Sequence, residues 1–291
     1  MNQSPHFRKR SFGDGMRWLG QAAELMSKGG SPLVGVAVVL LLISLIQWLP
    51  VLGIVALTLI TPLLTAGLIT VFRVVDEGQT PSPGMLFAGW REGAGLRFLV
   101  LGVWLLLGLI LAFAALALWI MPQVDPDLLN QLMQDPDVLS NDPDALLTFF
   151  QGVNLFGGLA IAFVIFAIVI GGLYFAVPLV HFWQWPVIPA LLWSLRAMLV
   201  NWLAFLGFGL LMFAVLFAAS FMFGLVIMIL SLALGPVGDL IGQGVVLIAS
   251  LFVQLLYAAT QWVAFREIFD ESNADSSSGD ELTGNSDSVE I

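Results

Sequence analysis

Three Asp-Pro-Asp triplets, at 125–127, 135–137 and 142–144, place six carboxylates and no basic residue within residues 122–150. Clustered carboxylates are the donors that a hard divalent cation takes, so this segment is a first candidate for calcium chemistry. Its spacing lacks the central glycine turn and the distal glutamate of a calcium loop. The same triplet is also a helix start: Asp at the N-cap, Pro at the first helical position, and a second Asp near the positive end of the helix dipole. On that reading each triplet opens a short helix or turn in a loop, and no metal or other cofactor is expected.

A second set lies near the end of the chain. Gln243, Ser250, Gln254, Tyr257 and Gln261 follow one another at spacings of 7, 4, 3 and 4. At ~100° per residue they occupy an arc of about 60° on one helix. Their neighbours are apolar, so this face is expected to point into a bundle, either as interhelical hydrogen-bond glue or as the wall of a cavity or permeation path. Thr58, Thr61 and Thr65, beside Pro62, are expected to bond their own backbone carbonyls. Arg73, Arg91, Arg97, Arg196 and Arg266 lie in connectors between apolar runs and are candidate contacts for anionic lipid. His181 is expected at an interface beside Trp183 and Trp185; with His6 near the start, it makes no metal site. No convergent acid, base and nucleophile can be assembled, so no catalytic residue is assigned and the chain is not expected to be an enzyme.

The elements that must carry these residues follow from composition. Of 291 residues, 59% are hydrophobic and 10% charged, against about 25% charged in a soluble domain. So few charges cannot screen so much apolar side chain from water. Lipid is the natural solvent. The net charge of −10 is divided, with acidic residues gathered in 125–144 and 267–290 and basic ones before or between apolar runs. Cysteine is absent, which excludes disulfides and thiolate chemistry. The phosphate-cradling G-x-x-x-x-G-K-[ST] pattern is also missing.

A membrane-crossing helix needs about 20 apolar residues. Six segments qualify: 32–49, 51–72, 98–121, 153–177, 202–233 and 241–264, with a reversal at Pro50 and Gly53 between the first two. The fourth is expected to end near Pro178. The expected fold is therefore an all-α polytopic helical bundle. No Asp, Glu, Lys, Arg or His falls inside a span, which argues against proton relays, ion-coupled pumps and voltage sensors. Gly157, Gly158, Gly171, Gly172, Gly207, Gly209 and Gly224 are expected to allow close helix contact. With six spans all ten basic residues fall on one side, which the positive-inside rule makes cytoplasmic together with both termini. The first apolar run starts about thirty residues in and a second follows at once, unlike a cleavable signal peptide. Residues 1–31 form a cytoplasmic N-terminus, 122–152 an acidic periplasmic loop, and 266–291 an acidic tail expected to be disordered.

The connectors repeat. "GMRWLGQAAELMSKGG" sets Arg17, Gln21, Glu24 and Lys28 on one helical face and Met16, Leu19, Ala23 and Met26 on another, as in a helix lying in the interface plane. "TPSPGMLFAGWREGAGLRF" and "WPVIPALLWSLRAMLVNW" also run from prolines through apolar residues and an arginine into a span. Phe72-Arg73 with Asp76-Glu77 is echoed by Phe265-Arg266 with Asp270-Glu271. Three units, each an interfacial helix followed by a hairpin of spans, would explain this.

"GMRWLGQA", "LITVFRVVDEGQTPSPGMLFAGWRE" and "PALLWSLRAMLVNWLAFL" together resemble a family of uncharacterised proteobacterial inner-membrane proteins, over roughly 15–270. Ser31-Pro32 stands where that family often has Asn-Pro. The resemblance implies six helices in a bacterial inner membrane and carries no activity or catalytic residue. The function expected is a non-enzymatic protein that organises lipid or a partner. The alternative is a transporter or channel for a small neutral or amphipathic solute, using the stripe of Gln243 to Gln261. Expected partners are membrane lipids, with self-association open and nucleic acid not expected.

Overall fold

A computed structural model describes residues 7–91, 94–134 and 152–269. Every described element is helical. In chain order they are α1 (Phe12–Gly29), α2 (Pro32–Ser44), α3 (Leu52–Asp76), α4 (Ala88–Arg91), α5 (Gly95–Ile120), α6 (Pro126–Gln134), α7 (Leu155–Phe182), α8 (Val187–Val200), α9 (Trp202–Leu234) and α10 (Pro236–Phe269).

Five of these, α3, α5, α7, α9 and α10, are long and apolar enough to cross a membrane. Segment 32–49 is shorter than the span expected there: α2 has 13 residues and continues only as a four-residue 3-10 turn, Leu45–Trp48. Taken with α1, to which it is joined at a bend of 102°, it forms a sixth candidate. The reversal after it is where the sequence put it. The Leu52 N–H donates to the Pro50 carbonyl at 2.6 Å, and Val51 is left at φ 59°, a strained position for a β-branched residue.

Among the helices that outrun the spans expected of them are α3 and α7. α3 continues past 72 to Asp76, and α7 continues through Pro178 to Phe182. Both overruns end against protein rather than lipid, so their polar groups find partners there.

The lead-in segments pack in a cycle, although they are not three alike units: α2 is too short to span alone, and the second lead-in is a 3-10 turn with the four-residue α4. The 3-10 turn Pro83–Phe87, which precedes the α5–α7 pair, packs on α3 and α2. α8, which precedes the α9–α10 pair, packs along α7. α1, which precedes α2 and α3, packs against α9 and α10. Each lead-in element thus rests on the hairpin before it, and the first rests on the last. Small residues permit this: side chains added at Gly67, Gly15 and Gly207 would run into the backbone carbonyls of Leu86, Ala204 and Phe12.

The core lies at the end of the bundle where these lead-in elements sit, here called the base. α7 buries mainly Val169–His181 and α10 mainly Leu251–Phe269, while α9 buries only Ala204, Gly207, Phe208 and Met212. Away from the base the hairpins part and show Phe113, Phe163, Phe213 and Leu232 to the surroundings. α1 docks through Trp18, Leu19, Ala22 and Leu25; of the apolar face of Met16, Leu19, Ala23 and Met26, Leu19 is buried, Met26 half-buried, and Met16 and Ala23 stay exposed. The reason is polar. The Trp18 indole N–H needs an acceptor and finds the Glu267 carboxylate at 3.0 Å.

Candidate lipid site

The stripe on α10 occupies two environments, contrary to the expectation that it points into the bundle throughout. Gln261 is buried and Tyr257 half-buried, whereas Gln243, Ser250 and Gln254 are exposed. The stripe keeps one arc, but α7 leaves that arc above Tyr257, whose ring centroid lies 5.8 Å from that of Tyr174. Ser250 satisfies itself on the Leu247 carbonyl at 2.7 Å.

Gln261 is fixed by a defect in α7. Pro178 has no N–H, so the carbonyl four residues back, that of Tyr174, lacks its helical donor. The Gln261 side-chain amide donates to that carbonyl. One turn away, Ser194 of α8 stands between the next pair of α7 groups. Its hydroxyl donates to the Gly171 carbonyl at 2.7 Å and accepts the Phe175 N–H at 2.8 Å. A proline, a glutamine and a serine from three helices thus complete one another. The threonine stripe behaves as expected, with Thr58, Thr61 and Thr65 each bonding the carbonyl four residues back.

The base also holds contacts that sequence reasoning missed. His181 is buried, and its Nε2 lies 2.7 Å from Thr70 Oγ1, joining α7 to α3. Asp76 accepts the Trp262 indole N–H at 3.0 Å and pairs with Arg266, joining α3 to α10. Of the candidate arginines, Arg266 is therefore engaged. Arg73 pairs with Glu77 at 2.8 Å and covers the Phe182 ring. Arg97 donates to the Gln184 carbonyl at 2.8 Å, and Arg196 stacks on Trp193. The last three remain exposed. The Arg91 side chain lies outside the described residues, as do the second and third Asp-Pro-Asp triplets and the tail from 270. The first triplet does open a helix: Asp125 accepts the Asp127 N–H at 2.8 Å at the start of α6.

The most distinctive concavity lies in the elbow between α1 and α2. A groove of about 400 Å³ is walled by Ala23, Met26 and Ser27 of α1, Leu33, Val34 and Ala37 of α2, and Phe252 and Leu255 of α10. Across Gly30, which lines both, lies a more polar recess of about 390 Å³ formed by Lys28, Ser31, Gly78, Gln79 and Thr80 with their neighbours. Gly30 has φ +53°, the left-handed conformation that lets the chain turn from one helix into the other. Glu24 and Lys28, paired at 2.9 Å and largely exposed, stand on the same α1 turns.

The chain matches no family model, no curated protein and no solved structure. An apolar slot with the Ser27 hydroxyl on its α1 wall adjoins, across Gly30, a recess that holds the Lys28 ammonium. An exposed ion pair adds little stability, so Glu24 and Lys28 are free to exchange partners with a headgroup.

Proposed function

We propose that this is a non-enzymatic membrane protein that holds a phospholipid in the α1–α2 elbow. The acyl chain runs along Leu33, Val34, Ala37 and Phe252, and the headgroup meets Ser27, Lys28 and Glu24. The observation that carries this reading is the groove itself, apolar on its α2 and α10 walls and polar where α1 turns away. We place the protein in a bacterial inner membrane with its base toward the cytoplasm, since the connectors that hold the basic residues converge there. Arg73, Arg97 and Arg196 are then secondary contacts for lipid phosphate.

Native mass spectrometry after gentle extraction tests this directly. The wild-type chain should retain a phospholipid, and Ala37→Trp, which fills the slot, should lose it while remaining folded. Equal retention by both would overturn the reading. Transport through the polar stripe has weaker support, because Gln261 is committed to α7 and the paired Tyr174 and Tyr257 rings close that end.

A further inference from the structure

The outer half of the α10 stripe poses a problem that the elbow does not solve. Gln254 lies twelve residues outward from Arg266, which at ~1.5 Å per residue puts its amide roughly 18 Å from the base. With a hydrocarbon core of ~30 Å, that is close to mid-bilayer. Gln254 is exposed, and among the described residues its side chain has no hydrogen-bond partner; the same holds for Gln243. Primary amides facing hydrocarbon are costly and drive helices together. Gln243, Leu247, Ser250 and Gln254 follow one another at spacings of 4, 3 and 4, the seam of two helices packed side by side. Closer to the base the same seam is covered by α7; farther out Gln243, Ser250 and Gln254 are exposed and Leu247 is half-buried.

We propose that this seam is a homodimer interface, in which α10 of one copy packs against α10 of a second along Gln243, Leu247, Ser250 and Gln254. Copies inserted in one membrane share one orientation, so related helices run parallel and each residue meets its counterpart at the same depth. A primary amide carries both donors and an acceptor, so Gln254 of one copy and its counterpart satisfy each other across a twofold axis. Ser250, bonded to its own helix and small, lets the backbones approach. A partner of different sequence would need a matching amide at the same depth; a second copy supplies it by symmetry.

The chain has no cysteine, so single cysteines report contacts cleanly. Leu247→Cys and Ser250→Cys, oxidised in intact membranes, should form disulfide-linked dimers. Ile248→Cys, about 140° round the helix from the seam, should not. In the otherwise native chain, Gln254→Leu should weaken dimerisation by about tenfold in a resonance-energy-transfer titration in vesicles, as expected for loss of one intramembrane amide pair. Absence of a dimer at Ser250→Cys, an equal yield at Ile248→Cys, or unchanged association of Gln254→Leu would each overturn the proposal.

Discussion

The Gln261 side-chain amide reaches the Tyr174 carbonyl, the one carbonyl in that turn of α7 that Pro178 leaves without a backbone donor. One helix interrupts its own ladder, and another helix completes it. Gln261→Leu should lower stability by about 0.5–1.5 kcal/mol, the lower end because the Gln261 Oε1 is itself buried without a partner among the described residues. Pro178→Ala restores the missing N–H, so the glutamine should then matter less. Thermal unfolding in detergent, followed by tryptophan fluorescence, would measure this as a double-mutant cycle; strictly additive losses would count against the relationship.

Asp76 is the corresponding hinge point at the base, shared by Trp262 and Arg266. Asp76→Ala should cost about 1–3 kcal/mol, because it leaves two half-buried donors without their acceptor. Asp76→Asn, which keeps an acceptor for the indole, should cost less. The same unfolding assay checks the order of the three proteins.

Glycines separate into two kinds. A side chain at Gly102 would meet the Leu59 carbonyl of α3, whereas Gly209 has open space around it. Gly102→Ala should therefore destabilise by about 1–3 kcal/mol. Gly209→Ala should be neutral or stabilising by up to about 1 kcal/mol. Equal effects on the unfolding midpoint would show that the α3–α5 contact is not as close as described.

Asp14 closes the first helix. Ser11 donates its backbone N–H at 2.7 Å and its hydroxyl at 2.8 Å to the Asp14 carboxylate. Chiefly through that backbone bond, and against partial desolvation, its pKa is held below the ordinary 3.8; the Ser11 hydroxyl and the Arg17 and Arg10 charges act in the same direction. A carboxylate lowered on folding contributes its full stabilisation above the ordinary carboxyl range and loses it as pH falls through the lowered value. The unfolding midpoint should thus drop more steeply on acidification in the wild type than in Asp14→Asn. Parallel pH curves would remove Asp14 from that role. Ser11→Ala should cost about 1 kcal/mol at neutral pH.

Much of the architecture was legible from the chain. Uninterrupted apolar runs marked the long helices, and Pro50 and Gly53 marked a turn. The threonine and Asp125 bonds follow from local geometry alone. What escaped were features set by a distant partner. α7 was expected to stop near Pro178, since a proline usually ends a helix, but Gln261 lies 87 residues away from the carbonyl it satisfies. His181 was expected at an interface and is instead buried against Thr70. Periodicity put Gln243, Ser250, Gln254, Tyr257 and Gln261 on one arc, yet could not show that α7 leaves the arc halfway along. Gly209 and Gly224, expected at helix contacts, have open space instead. The elbow groove had no sequence signature, because its walls come from three separate helices.

In the proposed topology the hairpins leave a common base and cross the bilayer to the opposite side. Single cysteines at Gln79, in the base, and at Gly235, at the α9–α10 turn, can be labelled in intact vesicles with a membrane-impermeant maleimide before and after permeabilisation. The two positions should react from opposite sides of the membrane. Labelling of both from the same side would contradict the account.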